Sequence, residues 1–268
     1  MKQAFWKMHG AGNDFILLDD RSARFPCADS EFIRRLCDRH AGIGGEGLLL
    51  VQSSTCGNFR MRFFNPDGAE AGMCGNGARC IARLAHDLGA APAVMRIETA
   101  SGLLQAEVFP DSVRLRLPAP LDCRCRQTLA LGSQTVRYHA IHTGVPHAVV
   151  ETTALDRIEV GRIGAAMRHH AAFAPQGTNV DFMAVTGAHS LRVRTYERGV
   201  EAETPACGTG ITACALIAGR LGRVTPPVHA TCKHGDTLEV NYRLTADGFE
   251  NVTLLGPAAY VFEGAVEI

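Results

Sequence analysis

Two cysteine–glycine motifs carry the residue types best suited to chemistry. Cys74 opens the segment CGNG and Cys207 opens the segment CGTG, and a helical pattern follows each of them. The first N–H groups of a helix lack internal partners, and the helix dipole adds partial positive charge there. We therefore expect both thiols to have a lowered pKa and to react as thiolates. The adjacent glycines let a carboxylate or a developing oxyanion approach the backbone amides.

A pair of such thiols suits stereoinversion at a carbon acid. One cysteine at a helix start could be a nucleophile, a redox thiol or a core residue, whereas two at duplicated positions suggest a site between two halves of the chain. One thiolate then removes the α-proton from one face, and the other thiol delivers a proton to the opposite face. Because this scheme requires no cofactor and the sequence offers no convincing metal or phosphate motif, we expect neither a cofactor nor a metal.

The elements that position these cysteines occur twice. MCGNGARCIARLAHDLG, from residue 73, and ACGTGITACALIAGRLG, from residue 206, match at seven of 17 positions without a gap, and Cys207 follows Cys74 by 133 positions in a chain of 268. Chance similarity between two glycine- and alanine-rich helices is the alternative. We favour an internal duplication that gives two pseudo-symmetric domains of one fold.

Periodicity predicts few helices and many short strands in each half. The predicted helices run from residue 29 or 30 to 40, from Cys74, over 160–169 and over 207–221. Alternating apolar and polar residues mark the strands, as in VRLRL at 113–117. The fold class is therefore α+β, with each domain a largely antiparallel β-sheet wrapped around a central helix. We place the domains at 1–118 and 119–257, and a C-terminal strand at 258–268 can pack back on the first.

Composition restricts the partners. The chain has 27 basic and 27 acidic residues and an apolar fraction of 46%, which argues against disorder and against a protein that binds nucleic acid or membrane surfaces. No apolar run reaches the roughly 18 residues of a membrane span, and no secretory h-region is visible. We expect a cytoplasmic protein with a small-molecule substrate. The sequence does not decide between a monomer and a homodimer.

One glycine motif matches a nucleotide-binding fingerprint but lies in the wrong structural context for it. GIGGEG at 42–47 matches the dinucleotide fingerprint literally, but a helix precedes it and the strand LLLV follows it. A nucleotide site needs the reverse order, with a strand before and a helix after. We interpret the segment as a helix-to-strand turn.

Four strings in the chain carry a specific resemblance. MHGAGNDF (8–15), FFNPDGAEAGMCGNGARC (63–80), GTNVDF (177–182) and YERGVEAETPACGTG (196–210) closely resemble the diaminopimelate epimerase family. The resemblance implies interconversion of LL- and meso-diaminopimelate without pyridoxal phosphate, in lysine and peptidoglycan-precursor synthesis. By motif, Cys74 and Cys207 match the two acid/base residues. The positions that match substrate-contacting residues are Asn13, Asn65, Gly75, Asn76, His147, Asn179, Glu197, Arg198, Gly208 and Thr209.

These side chains suit an amino-acid substrate. Arg198 can bind a carboxylate as a fork, while Glu197 and the asparagine amides can hold an ammonium group. The helix-terminal amides beside each cysteine would contact the reacting carboxylate. His147, in GVPH, resembles the family's histidine near the catalytic thiols, although it could also be an ordinary hydrogen-bonded histidine at a strand end.

Two departures from the family pattern concern the distal end of the substrate. Many members read G-N-P-H where this chain has Val145, so one polar contact is missing, and Gly47 stands where some members have glutamine. A cofactor-independent racemase of another amino acid, such as a proline racemase-like enzyme, is therefore the nearest alternative. A non-catalytic amino-acid-binding or thiol-redox protein on the same fold is the alternative from another class.

The remaining cysteines have simpler interpretations. Cys80 and Cys214 fall inside apolar helices and are expected in the core. Cys123 and Cys125 form a C-x-C pair that could bind a metal or act as a redox pair, but no second Cys/His pair has ligand spacing.

Overall fold

The chain forms two compact units built mainly of β-strands. The structure, a computed structural model, describes residues 2–268. One unit is Leu117–Leu254, and the other consists of the described residues up to Arg116 together with Leu255–Ile268. The domain limits inferred from the sequence stay a prediction, because spatial compactness does not show which segments fold independently.

The helices and strands occur in the same order in the two units. The first unit begins with β1 (Lys2–Gly10), β2 (Asn13–Asp19), α1 (Ser30–Cys37), β3 (Leu48–Gln52), β4 (Phe59–Phe64), β5 (Glu70–Ala71), α2 (Gly75–Asp87), β6 (Val94–Thr99), β7 (Gly102–Val108) and β8 (Val113–Arg116). The next elements are β9 (Leu121–Leu131), β10 (Gln134–His142), β11 (Pro146–Glu151), α3 (Val160–Arg168), β12 (Asn179–Gly187), β13 (Ser190–Glu197), β14 (Ala202–Thr204), α4 (Gly208–Arg220), β15 (Val228–Thr231), β16 (Thr237–Leu244) and β17 (Phe249–Gly256). The last strand is β18 (Ala259–Glu267), and short 3₁₀ turns at Leu155–Arg157 and Ala171–Phe173 flank α3.

Strand pairing repeats as well. In the first unit β1 pairs with β18 and β2, β3 with β4, β4 with β5 and β6 with β7, all antiparallel. The counterparts are β10 with β9 and β11, β12 with β13, β13 with β14 and β15 with β16. Parallel pairs also recur, as β2–β3 and β4–β6 in one unit and β11–β12 and β13–β15 in the other. The predicted largely antiparallel sheets are confirmed, with two parallel pairs added in each unit.

A central helix lies against the strands of each unit. Helix α2 contacts β1, β2, β3, β4, β7 and β8, and α4 contacts β10, β11, β12, β13, β15 and β16. Every residue of α4 from Ile211 to Ala218 is buried. A helix enclosed in this way needs apolar or small residues around its whole circumference, and the sequence supplies them. The predicted α+β class is confirmed.

Helix α1 is shorter than predicted. The carboxylate of Asp29 caps it by accepting the Phe32 N–H at 2.9 Å. The helix ends at Cys37 rather than His40, because Asp38 has an extended backbone and its carboxylate accepts the N–H groups of His40 and Ala41. Asp38 thus satisfies locally two amides that a longer helix would have used.

The glycine segment 42–47 is the helix-to-strand turn that its sequence context predicted. Gly44 has a φ of +79°, a conformation that favours glycine. Its carbonyl accepts a hydrogen bond from the buried ammonium group of Lys7, which also forms an ion pair with Asp14 at 2.6 Å. At Gly47 a Cβ atom would lie 2.6 Å from the carbonyl oxygen of Phe64, so no side chain fits there.

Candidate active site

Cys74 is the N-cap residue of α2. Its backbone is extended (φ −131°, ψ 122°), and its carbonyl accepts the first intrahelical hydrogen bond from the Ala78 N–H at 2.8 Å. The amides of the first turn therefore have no intrahelical acceptor by position. A Cβ atom added at Gly75 would meet nothing within 4 Å. The thiol, half-buried, stands beside an open helix N-terminus, where an anion is stabilised.

A buried arginine fixes the first turn of α2. Asn76 is buried, and its Oδ1 accepts a hydrogen bond from Nη2 of Arg79 at 2.9 Å. Arg79 is fully buried and also donates from Nε to the carbonyl of Pro257 at 3.2 Å. Oδ1 of Asn76 is thus engaged within the protein, and N–H groups are what this residue can offer to a carboxylate.

The hairpin between β1 and β2 lies against the same turn. Gly10 pairs with Asn13 across the hairpin, and a Cβ atom at Gly10 would lie 3.0 Å from the Asn76 carbonyl oxygen. Through Gly10 the structure brings Asn13 to the start of α2. The Oδ1 atom of Asn13 is buried without a hydrogen-bond partner in the described structure. A buried acceptor in this state favours binding of a donor such as an ammonium group.

Asn65 lies in the turn after β4. Its N–H donates to the carbonyl of Ala69, its carbonyl accepts from Gly68, and Gly68 has a φ of +87°. These bonds hold the Asn65 backbone in one conformation. They do not connect it to the start of α2.

In the second unit Cys207 is the N-cap residue of α4. Its backbone is again extended (φ −112°, ψ 108°), and its carbonyl accepts from the Ile211 N–H at 2.9 Å. The sulfur lies 3.4 Å from Oγ1 of Thr209, and the Thr209 carbonyl accepts a hydrogen bond from the hydroxyl of Thr143 at 3.0 Å. The two cysteines therefore begin helices of the same length, 13 residues, in the same way.

The prediction that the Cys207 thiol has a lowered pKa is wrong. Burial raises the pKa of its thiol well above the ordinary value, and the negative charges of Glu197 and Asp181 act in the same direction. The Thr209 hydroxyl and the Gly210 N–H lower this pKa but do not compensate. Desolvation of a thiolate that is only 6% exposed outweighs the helix N-terminus. Cys207 is therefore a weaker acid than an ordinary cysteine.

Asn179 joins the start of β12 to the residue after β13. Its Oδ1 accepts the Arg198 N–H at 2.8 Å, and its Nδ2 donates to the Pro146 carbonyl at 3.3 Å. The guanidinium of Arg198 makes a long hydrogen bond of 3.4 Å to the Gln176 carbonyl. Glu197, immediately before it, is close enough to Cys207 to influence its pKa. The structure thus brings Asn179, Glu197 and Arg198 together near the start of α4.

His147 forms a buried pair with Asp181. The two side chains have no exposed surface, and Nδ1 of His147 lies 2.7 Å from Oδ2 of Asp181. His147 on β11 is directly opposite Asn179 on β12, and Asp181, two residues further along β12, is on the same side of that strand. The other carboxylate oxygen accepts the Thr195 hydroxyl at 2.8 Å. Nε2 of His147 is buried without a partner in the described structure.

Sequence reasoning missed three residues here. Asp181 and Thr195 belong to the polar network beneath α4, and Oγ1 of Thr204, three residues before Cys207, is buried without a partner in the part of the chain that the structure describes. Asp181 could have been found, because its two-residue spacing from Asn179 in a strand puts both on one face. The pairing of β12 with β13, which places Thr195 opposite Asp181, has no comparable sequence signal.

Comparison with known proteins identifies the family. The diaminopimelate epimerase family model matches residues 5–116 and 139–260. The chain is 38% identical to the diaminopimelate epimerase of Aquifex aeolicus, covering 97% of this chain and 96% of that one. It is 42% identical to the one from Methanothrix thermoacetophila, covering 98% and 95%. The chain belongs to the diaminopimelate epimerase family.

The fold extends beyond that family. The structure of a Bacillus anthracis phenazine biosynthesis protein of the PhzF family superposes with a TM-score of 0.76 over 100% of both chains, at 15% identity. At this identity the likeness concerns the fold alone.

For a diaminopimelate epimerase family member, the departure at position 47 has a steric cause in this chain, since Phe64 leaves no room for a side chain there.

The other cysteines of this family member lie apart from the two motifs. Cys80 and Cys214 are fully buried, as predicted, and burial raises the pKa of Cys80 to about 12. Burial and the neighbouring Cys125 raise the pKa of Cys123 to about 11. Among residues 2–268 no group of three or more His, Cys, Asp or Glu side chains could hold a metal ion. No helix within the same residues is long and apolar enough to cross a membrane.

Proposed function

We propose that this protein interconverts LL- and meso-diaminopimelate by proton transfer at the α-carbon, without a cofactor, in the synthesis of lysine and peptidoglycan precursors. The observation that carries the proposal is that Cys74 and Cys207 are the N-cap residues of matching helices in a member of this family. One sulfur removes the α-proton and the other thiol protonates the opposite face. The two cysteines exchange roles in the reverse reaction.

The remaining roles follow from hydrogen-bonding capacity. The amides of Gly75 and Asn76 and those of Gly208 and Thr209 bind the reacting carboxylate and stabilise the negative charge that develops on it. Arg198 binds a carboxylate of the substrate, and Glu197 binds an ammonium group. Asn13, Asn65, Asn179 and His147 complete the polar contacts, and the buried unpartnered atoms of Asn13 and His147 support this assignment.

The test is hydrogen exchange at the α-carbon. In deuterated water the wild-type protein should incorporate deuterium into LL-diaminopimelate at the α-position as it forms the meso isomer. Cys74→Ala and Cys207→Ala should each abolish epimerisation, since each removes the proton carrier of one face. Cys80→Ala and Cys214→Ala are matched controls on the same two helices and should retain it. Full epimerisation by either active-site variant would refute the two-cysteine mechanism.

A second candidate is racemisation of another amino acid. Val145 favours it, because this residue, in the turn before Pro146, offers no polar side chain to the distal end of a substrate. A panel of amino acids in deuterated water separates the two candidates. Faster exchange with another amino acid than with diaminopimelate would favour the second, and Val145→Asn should then shift the preference toward diaminopimelate.

The setting of the reaction is also a proposal. The balanced charge of the chain supports a small-molecule substrate in the cytoplasm, with neither nucleic acid nor membrane as a partner. The proposed domains are residues 1–118 and 119–257, with 258–268 returning to the first, and a homodimer is compatible with the activity. Fractionation of cells and size-exclusion chromatography test the compartment and the oligomeric state.

A further inference from the structure

We propose that Glu201 is a positioning residue whose carboxylate fixes the turn that carries Arg198, so that the Arg198 guanidinium binds a substrate carboxylate from a defined place. The kinetic consequence rests on the proposed function. The structural part, a turn fixed by one side chain, is independent of any substrate.

The turn is the four-residue connection between β13 and β14. Glu197, the last residue of β13, pairs with Ala202, the first residue of β14, and the N–H of Glu201 donates to the Glu197 carbonyl at 2.9 Å. Glu201 has a φ of +57°, in the left-handed region that side chains rarely adopt. A glutamate in this conformation needs contacts that hold it there.

The Glu201 carboxylate makes those contacts. Oε1 accepts the Gly199 N–H at 3.0 Å, so the last residue of the turn is bonded to the second. Oε1 also accepts a hydrogen bond from Nε of Arg168 at 3.1 Å, and Oε2 lies 3.2 Å from Nε2 of His169. Arg168 is the final residue of α3. The turn is therefore tied to the end of a helix.

The charge state of Glu201 agrees with this role. The Gly199 N–H makes the largest contribution to the lowered pKa of its carboxyl group, desolvation opposes it, and the positive charge of Arg168 lowers this pKa further. Glu201 is therefore ionised at neutral pH, and its hydrogen bonds with Arg168 and Gly199 are charge-assisted.

Arg168 connects Glu201 to Arg198. The carbonyl of Gln176 accepts a hydrogen bond from Nη1 of Arg168 and another from Nη1 of Arg198, both at 3.4 Å. A Cβ atom at Gly177 would overlap Nη1 of Arg168, so this guanidinium packs directly against the backbone there. Two like charges that share one acceptor repel each other. Because the Glu201 carboxylate neutralises Arg168, the positive charge of Arg198 stays available for an anion.

Asn179 anchors the other end of the turn. Its Oδ1 accepts the Arg198 N–H at 2.8 Å, while Glu201 holds the residues that follow. Loss of the Glu201 carboxylate leaves the long, half-buried Arg198 side chain on a turn whose second end is no longer held. Substrate binding must then order both the side chain and the turn.

The expected effect is on KM rather than on kcat. The amides at the helix starts are assigned to the reacting carboxylate, so Arg198 is left for the other carboxylate of diaminopimelate, whose charge stays the same during the reaction. A contact that is equally strong in the ground state and in the transition state changes KM alone. Glu201→Ala should raise KM for LL-diaminopimelate about tenfold, since ordering a long side chain costs that much, and change kcat by less than about twofold.

Two further variants control this measurement. Glu201→Gln keeps an acceptor for the Gly199 N–H but not the charge opposite Arg168, so its KM should lie between those of the wild type and Glu201→Ala. Glu159→Ala removes an exposed carboxylate that pairs with Arg162 of α3 at 2.7 Å. It should leave KM and kcat unchanged, and a KM raised as much as in Glu201→Ala would overturn the proposal.

A double-mutant cycle shows whether Glu201 acts through Arg198. In an Arg198→Ala background, Glu201→Ala should lower kcat/KM by less than about twofold, because the side chain that it positions is already gone. Effects of the two substitutions that multiply would overturn the proposal, as would a lowered kcat at unchanged KM in Glu201→Ala.

Amide hydrogen exchange tests the turn without substrate. Exchange at Gly199 should be faster in Glu201→Ala than in the wild type, and equal to the wild type in Glu159→Ala. Unchanged exchange at Gly199 in Glu201→Ala would overturn the structural part. If the wild type does not epimerise diaminopimelate, the proposed function fails, while the exchange rates still decide whether Glu201 holds the turn.

Discussion

The carboxylate of Asp181 occupies the space that a side chain at Gly210 would need. A Cβ atom at this glycine would overlap Oδ1 of Asp181, which is itself held by Thr195 and lies beside His147. The duplicated position, Gly77, has a different neighbour. A Cβ atom there would lie 3.1 Å from a terminal methyl group of Leu49.

This difference predicts unequal effects of the same substitution. Gly210→Ala should destabilise the protein by about 1–3 kcal/mol through overpacking. Gly77→Ala should change the free energy of unfolding by less than about 1 kcal/mol, since a leucine end can move and alanine favours helix. Urea unfolding of the two variants measures the difference. Equal losses in the two variants would contradict the packing argument.

The pKa of Cys207 gives a second prediction. Burial, then Glu197, then Asp181 raise it, so the thiolate fraction near pH 8 is small and grows as the pH rises. Glu197→Gln removes one negative charge and should lower this pKa. A lower pKa raises the thiolate fraction at any fixed pH below the pKa. Peptide-resolved mass spectrometry of iodoacetamide labelling at pH 8 measures it.

The control for this prediction is Glu203→Gln. Glu203 is a largely buried carboxylate paired with Arg194 at 2.7 Å, and its charge is not among the principal influences on the Cys207 pKa. Labelling of Cys207 should stay at the wild-type rate. Slower labelling in Glu197→Gln than in the wild type would mean that Glu197 does not act through its charge.

Truncation of two asparagines of the site should affect the stability of the protein differently. Oδ1 of Asn13 is buried without a partner in the described residues, so Asn13→Ala should leave stability unchanged or raise it, while KM for diaminopimelate increases. Asn179 makes two hydrogen bonds, to Arg198 and Pro146. Asn179→Ala should cost about 1–3 kcal/mol and also raise KM. Thermal unfolding and kinetics on the two variants provide the test. A destabilised Asn13→Ala would show that this amide supports the fold.

The Lys7–Asp14 ion pair, which lies beside the glycine segment 42–47, predicts a pH-dependent contribution to stability. Although burial raises the pKa of Asp14, hydrogen bonds from Arg39 and Lys7 lower it overall. A lowered folded-state pKa contributes stability above the unfolded value of about 3.9, and this stability is lost as the pH falls through the folded value. Asp14→Asn should therefore be destabilised by about 1–3 kcal/mol at pH 7, because it leaves the buried Lys7 without its carboxylate.

The difference from wild type should shrink below pH 4, where Asp14 itself becomes protonated. Urea unfolding between pH 3 and pH 7 measures it. Asp19→Asn is the control, since the Asp19–Arg21 pair is more exposed and should contribute less than about 1 kcal/mol. A difference for Asp14→Asn that stays constant across this range would rule out the electrostatic explanation.

Much of the site could be located from sequence, because its signals are local. Cysteine at a helix start followed by glycine predicted the beginnings of α2 and α4, and both cysteines are the N-cap residues. Helix periodicity predicts an end for α1 three residues beyond the observed one, because the Asp38 carboxylate accepts hydrogen bonds from the amides that follow it and so competes with the helix. A hydrogen bond of that kind depends on a side-chain conformation, which periodicity does not report.

The sequence by itself determined the α+β class, the repeated order of elements, the two cysteines and the family. Those features depend on residue types and spacing along the chain. Only the tertiary structure decided the raised pKa of Cys207 and the buried pairing of His147 with Asp181. Both depend on desolvation and on charges brought close from β11, β12 and β13. The sequence predicts a helix N-terminus and therefore its dipole. The strands packed around that terminus decide how far it is exposed to water.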